Sequence, residues 1–287
     1  MEEDYRELRA IARQIRKDIV RQVAGAQSGH AGSSLSAVEI GVALYWREMR
    51  LDPSRPDWPD RDRFCLSKGH ASPLLYALLA RRGYFPPEEL DTFRRIDSRL
   101  QGHPARHKLP GVEISAGSLG QGLSQAIGMA LAGKLDGKGY RVYALLGDGE
   151  LQEGQVWEAA MFAGNRRLDN LCAIVDYNGL QIDGPVSEIN DPAPVAGKFR
   201  AFGWHAVEID GHDYRQIFAA LAEARATRER PTCIVARTRK GRGIAAVEGT
   251  VKSHSWYPKV EELEDLYGEI DREDAPSAPS PQEVRAR

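Results

Sequence analysis

Cysteine is scarce. The three present, Cys65, Cys172 and Cys233, lie far apart in 287 residues, with no CxxC and no close Cys/His pair. That excludes a disulfide framework and a zinc site of ordinary spacing. Long apolar runs are also missing, so no stretch approaches membrane-spanning length. The N-terminus, Met1-Glu2-Glu3-Asp4, is acidic where a signal peptide would be basic. These absences predict a reducing, cytoplasmic setting and no membrane. Charge imbalance is missing as well: 39 basic against 41 acidic side chains give a net charge of −2. Nucleic acid is therefore not an expected partner, and any anion site must be local. No internal repeat is visible.

What remains is ordinary globular material, 42% hydrophobic and 28% charged. A chain of this size buries a core without staples. Leu8, Ile11, Ile15, Ile19 and Val23 recur at helical spacing, which predicts an amphipathic helix over Tyr5–Ala24. Ser36 with Glu39 fits a capping box, predicting a second helix to about Met49. Residues 51–62 are rich in Pro and Asp and read as a loop. Phe64-Cys65-Leu66 reads as a short buried strand, followed by a helix from Ser72 to Arg82 with Pro73 in its first turn.

From Tyr140 onward, strands and helices alternate. Strands are predicted at Arg141–Leu146, Leu171–Val175, Ala206–Ile209 and Thr232–Ala236. Helices are predicted at Glu153–Asn165, Pro194–Phe202 and Tyr214–Ala226. The expected fold is α/β, a parallel sheet flanked by helices on both faces. Chemistry in such sheets sits beyond the C-terminal ends of the strands. The expected domain is 1–264, with 265–287, a mixture of acids, Pro, Ser and Ala, as a loosely docked tail.

Two strand ends carry the most chemistry. Gly147-Asp148-Gly149 closes one strand, and Asp176-Tyr177-Asn178-Gly179 closes the next. Flanking glycines let the backbone approach a ligand closely. A carboxylate, a side-chain amide oxygen and a backbone carbonyl form half of the octahedral oxygen shell that magnesium prefers, with phosphate oxygens and water to complete it. The helix that follows would offer N–H groups to the same anion. Both segments are also common turns, so the residues alone leave the two readings open.

The longer strings settle on a family. Gly147-Asp148-Gly149-Glu150-Leu151-Gln152-Glu153-Gly154, continued by Asn178-Gly179-Leu180-Gln181-Ile182-Asp183-Gly184, resembles the thiamine diphosphate motif of transketolases. Ser28-Gly29-His30, Leu66-Ser67-Lys68-Gly69-His70, Gly102-His103-Pro104 and Gly117-Ser118-Leu119-Gly120-Gln121-Gly122 match further transketolase motifs in order, over about residues 14–258. The resemblance implies that Asp148, the Asn178 side chain and the Leu180 carbonyl bind Mg2+ or Ca2+. Gly149 would touch the diphosphate through its backbone, with Gly117 beside it. Leu119 and Ile182 would pack on the cofactor rings. Glu153 and Glu158 match acidic residues near the subunit interface that link two active sites.

Seven histidines are present. His107, His205 and His212 read as surface or capped-core side chains. His30, His70 and His103 sit in glycine-containing loops, which bring a ring close to a ligand. His254 lies in the late polar stretch Val251-Lys252-Ser253-His254-Ser255-Trp256. A neutral imidazole donates at one nitrogen and accepts at the other, which suits a ketose with adjacent hydroxyls and a carbonyl. The resemblance implies that His30 and His103 act at the carbonyl end of the donor sugar. It places His70 and His254 near the diphosphate and the reacting centre, His254 with both catalytic and cofactor contacts.

Single-chain transketolases carry two further domains, which supply the glutamate facing the cofactor pyrimidine and much of the substrate-phosphate pocket. Residues 1–287 hold no such domain. The resemblance is therefore to the N-terminal subunit of a split transketolase, with a C-terminal partner subunit in an α2β2 assembly; a sugar phosphate is the default substrate, and a sulfonated or branched sugar is equally compatible. Ala31 after His30 and Ser118 are departures from the single-chain pattern, where proline is common. The alternatives are the α-subunit of a 2-oxo acid dehydrogenase, a deoxyxylulose-phosphate synthase, or a binding subunit without turnover. The three histidine motifs argue against the first two, and the intact Asp148, Asn178, His30, His70 and His103 against the third.

Overall fold

Alternation along short apolar strands dictates the layering. A computed structural model describes residues 4–272. Its five strands, β1 (Arg63–Leu66), β2 (Val142–Gly147), β3 (Leu171–Tyr177), β4 (His205–Asp210) and β5 (Thr232–Arg237), pair in parallel in the order β1-β2-β3-β5-β4. Phe64, Leu66, Tyr143, Leu145, Cys172 and Ile174 face one core. Cys65, Val142, Ala144, Leu146, Ala173 and Val175 face the other. Both faces are apolar because helices cover both.

The first face is covered by α1 (Arg6–Ala26), the short α2 (Ala31–Leu35), α3 (Val38–Ala43), α4 (Ser72–Arg82) and later α9 (Tyr214–Ala226). Leu8, Ala12, Ile15, Ile19 and Val23 of α1 are all buried. Each buried Leu or Ile there contributes about 1.5–3 kcal/mol, and Ile19→Ala would cost about 2–5 kcal/mol. The helix stops at Gln27, whose left-handed φ of 46° returns its N–H to the carbonyls of Val23 and Ala24. The second face carries α5 (Gln121–Leu135), α6 (Gly154–Asn165) and α8 (Val195–Ala201); the four-residue α7 (Val186–Ile189) follows the loop beyond β3.

Three features differ from the sequence expectations. The Ser36/Glu39 capping box does not form. Ser36 Oγ instead donates to Asp176 Oδ2 at 2.5 Å. Glu39 pairs with Arg16 at 2.6 Å and His212 at 2.9 Å. Buried charged partners outcompete a backbone amide, and the segment runs as α2, α3 and a π-turn at Leu44–Glu48. Helix α5 carries a weak amphipathic signal because small and apolar residues, Gly128, Ala132 and Leu135, are exposed among the polar ones. Residues 265–272 are not a loose tail. They belong to α10 (Leu263–Arg272), which packs on α1 through the buried Ile270 and a 2.7 Å Lys17–Asp271 pair. Leu263, Leu266 and Ile270 supply the apolar stripe. Positions 273–287 of the expected tail lie outside the described residues. No helix among the described residues is long and apolar enough to cross a membrane, and all three cysteines are buried and free.

Candidate active site

The parallel sheet delivers its loops to one edge, and the sequence-predicted residues meet there. His30, His70, His103, Gly117, Leu119, Asp148, Gly149, Glu153, Asn178, Leu180, Ile182 and His254 all line one cavity of about 360 Å³. His30 precedes α2, and His70 follows β1. Gly117 and Leu119 lead into α5. Asp148 and Glu153 follow β2, while Asn178, Leu180 and Ile182 follow β3. Glu158, on the exposed side of α6, is outside the cavity.

The floor is held by buried carboxylates. Asp176 is fully buried and takes Lys68, Ser36 and Thr238 as partners. Burial would raise its carboxyl, but the Lys68 ammonium and the two hydroxyls outweigh that and hold it below the usual range. Lys68 also donates to the Ser33 carbonyl at 2.7 Å. Glu150 accepts from Ser67 Oγ at 2.5 Å, Gly120 N–H at 2.9 Å and Gly147 N–H at 3.0 Å. It thereby ties the ends of β1 and β2 to the start of α5.

Asp148 is 2% exposed. Its oxygens accept the N–H of Gly149 at 2.7 Å and of Gly179 at 2.5 Å. Burial and the neighbouring Asp176 push its carboxyl up to about 6. The Asn178 amide oxygen accepts the N–H of Leu180 at 3.2 Å. The Gly149 N–H, expected to face an anion, is thus engaged by Asp148 here. Ser33 and Lys240 of the cavity escaped the sequence reading. Lys240, beyond β5, places Nζ 2.8 Å from the Leu180 carbonyl oxygen. Burial pushes its ammonium down to about 8, against the pull of Asp148. A basic Arg-Lys-Gly turn at a strand end was the available signal.

The four histidines form a cluster. Ring centroids are 5.0 Å apart for His30 and His254, 5.3 Å for His30 and His70, 5.6 Å for His70 and His254, and 6.3 Å for His30 and His103. Burial lowers His30 to about 4, His254 to about 3, and His70 far below the ordinary imidazole value, with Lys240 adding to each. His103 sits exposed at the mouth, lowered more gently by partial burial and Arg94. All four are neutral rings at pH 7. Nδ1 of His30 and of His254 is buried without a hydrogen-bond partner, which in a native fold points to a group supplied from outside. Ile182 is 64% exposed at the same mouth.

The histidines expected outside the site are outside it. His107 is exposed, His205 pairs with Glu223 at 3.0 Å, and His212 lies between Glu39 and the Arg239 backbone.

Comparison with known proteins agrees with this geometry. The chain is 46% identical over 271 residues to the 6-deoxy-6-sulfo-D-fructose transketolase subunit SqwG of Clostridium sp. (strain MSTE9), covering 92% of this chain and 98% of that one. It is 39% identical to an apulose-4-phosphate transketolase subunit of Phocaeicola vulgatus, covering 89% and 90%. The transketolase of Leishmania mexicana superposes with a TM-score of 0.87 at 35% identity, covering 97% of this chain. This chain spans 43% of that larger one. Residues 8–285 match the family described as "Transketolase, thiamine diphosphate binding domain". With that match running over nearly its whole length, the chain belongs to the transketolase family and comprises its thiamine diphosphate-binding domain.

Proposed function

We propose that this chain is the diphosphate-binding subunit of a two-subunit transketolase, moving a two-carbon ketol unit from a ketose to an aldose with thiamine diphosphate and Mg2+ or Ca2+. The observation that carries the reading is the convergence of four neutral imidazoles, a buried oxygen-donor set and Lys240 on one cavity. The residues suit the absent groups. Asp148 Oδ, Asn178 Oδ1 and the Leu180 carbonyl are hard oxygen donors on adjacent strand ends, as a divalent cation with diphosphate oxygens requires. The buried, unpartnered Nδ1 atoms of His30 and His254 call for ligand atoms. Leu119 and Ile182 offer apolar surface at the mouth for a ring system.

Bound there, thiamine diphosphate supplies the electron sink that lets a bond beside a ketose carbonyl break and re-form. Lys240 is placed to neutralise diphosphate charge, with Gly149 and Gly117 allowing close backbone approach. His70 and His254 hold or exchange protons near the reacting centre. His30 and His103 orient the carbonyl and hydroxyl end of the sugar, each nitrogen donating or accepting without adding charge. Glu153 lies at the rim, where it reaches toward a second chain.

That second chain is a C-terminal subunit carrying the pyrimidine-binding half, in an α2β2 assembly. Support comes from the relatives named as subunits and from an uncovered stripe on α5 and α6. Leu135 is 78% exposed, Met161 56% and Phe162 40%. Substrates are sugar phosphates or close anionic analogues, and the buried free thiols suit a reducing, cytoplasmic setting. The test is reconstitution. The chain mixed with its partner, thiamine diphosphate and Mg2+ transfers a two-carbon unit between sugars, measured by product formation. A reconstituted pair that binds cofactor without any ketol transfer would overturn the catalytic reading.

A further inference from the structure

His212 takes no part in the cavity, yet both its ring nitrogens are committed. The ring directly follows β4 and is 13% exposed. Nδ1 lies 2.9 Å from Glu39 Oε2, and Nε2 accepts the backbone N–H of Arg239 at 2.9 Å. An N–H donor at Nε2 requires that nitrogen to be bare, so the proton sits on Nδ1 and is donated to Glu39. Glu39 is fixed in turn by Arg16 at 2.6 Å. Gly211 permits this reach: a Cβ there would meet Thr238 Cγ2 at 2.5 Å.

Arg239 immediately precedes Lys240. The flanking backbone is pinned too: Thr238 N–H to the Tyr177 carbonyl at 3.1 Å, and Gly241 N–H to the Gly32 carbonyl at 3.1 Å. Between them the Lys240 carbonyl accepts the Gly249 N–H at 2.8 Å, and the Arg239 amide is satisfied by a side chain rather than backbone.

We propose that His212 is a positioning residue for Lys240, holding the turn beyond β5 so that the lysine ammonium projects into the diphosphate cavity. The order of contacts runs Arg16, Glu39, His212, Arg239 and then Lys240, from the α1 side of the sheet to the site. The residue type follows from the geometry. Imidazole carries a donor and an acceptor at opposite sides of one rigid ring. Lysine or arginine could not accept the N–H, and serine could not span the gap. The inference rests on the cofactor reading given above.

The experiment titrates thiamine diphosphate and, separately, inorganic pyrophosphate, both with Mg2+, into the full 287-residue chain by calorimetry. Parent, His212→Ala, His212→Gln, Lys240→Met and the His212→Ala/Lys240→Met pair are compared, with thermal midpoints recorded. His212→Ala weakens diphosphate binding about tenfold, the scale of a lost charged contact. His212→Gln, whose amide oxygen can accept the same N–H, restores most of it. The double variant binds no more weakly than Lys240→Met alone. Nitrogen-15 NMR of the parent ring finds the Nδ1–H tautomer. Unchanged affinity in His212→Ala, additive losses in the double variant, or an Nε2–H tautomer overturns the proposal while leaving the cofactor reading intact. A parent chain that binds neither ligand overturns both. Should His212→Ala fail to fold, loss of affinity in a folded His212→Gln overturns the Arg239 contact as its basis.

Discussion

Lys240 Nζ and the Leu180 carbonyl oxygen stand 2.8 Å apart, so a cation already faces one of the three oxygens assigned to the metal shell. Lys240→Met removes that charge from a cavity meant for an anion. Its affinity for thiamine diphosphate is expected to fall about tenfold at pH 7. Because burial brings the ammonium down to about 8, the parent loses this charge as pH rises through that value. Diphosphate affinity of the parent should therefore decline between pH 7 and 9.5, and that of Lys240→Met should decline less. Parallel curves for the two proteins in calorimetric titrations would remove Lys240 from the site.

Asp148→Ala is expected to abolish the Mg2+ dependence of cofactor binding. The buried carboxylate is the one charged donor of the proposed shell, and a diphosphate facing no cation loses its main charge partner. Titrations with and without Mg2+ check this. A variant that binds cofactor and metal like the parent would place the metal elsewhere.

His103→Ala should lower kcat of the reconstituted enzyme more than it weakens cofactor binding. The ring stands exposed at the mouth, whereas His30, His70 and His254 are half-buried. Loss of one hydrogen bond to a substrate hydroxyl predicts about a tenfold drop in turnover. Steady-state kinetics beside cofactor titration separates the two. An unchanged kcat with poor cofactor affinity would move His103 to the diphosphate group.

The acid sensitivity of the fold has a definite sign. His30 and His254 are lowered to about 4 and about 3 from an ordinary 6.5. Between those values the unfolded chain binds more protons than the folded one. The stability they contribute is therefore complete above pH 6.5 and is lost progressively as pH falls toward 4 and then 3. Urea unfolding at pH 4, 5.5 and 7 should show a shallower decline for His30→Asn/His254→Asn than for the parent. Equal slopes would mean that neither ring is held neutral.

The chain alone, saturated with cofactor and Mg2+, is expected to show no ketol transfer. Activity should appear on mixing with the partner and should be blocked by Met161→Glu/Phe162→Asp. Both positions are exposed on α6, so the thermal midpoint of the isolated chain should move little. Size-exclusion chromatography reports the association. Full turnover by the rigorously purified chain alone would sink the two-subunit reading.

The sheet and its loop-bearing edge were legible in the sequence because they depend on local rules, while the roles of the cavity residues came from the resemblance to transketolase motifs. Strand runs end at glycine-bearing turns, and a parallel sheet brings those turns together. What escaped depended on contacts distant in the chain. Ser36 and Glu39 have the spacing of a cap, but Asp176 and Arg16, brought near only by folding, bind them first. Lys240 reads as one cation among 39 basic residues until β5 places it beside Leu180. Helix α5 was hidden for another reason. Its exposed Gly128, Ala132 and Leu135 dilute the polar stripe by which a surface helix is recognised.

Asp176 bears on how such a protein can change over generations. Its carboxylate joins α2's C-cap Ser36, Lys68 beyond β1 and Thr238 beyond β5, so a substitution there removes a partner from three elements at once and leaves Lys68 and Ser36 with only the Ser33 carbonyl. A replacement at the floor is therefore felt by several elements together. Nothing of that kind restrains an exposed side chain at the mouth such as Asp183. Single substitutions there are individually affordable, which gives selection a route to new sugars that leaves the cofactor machinery untouched.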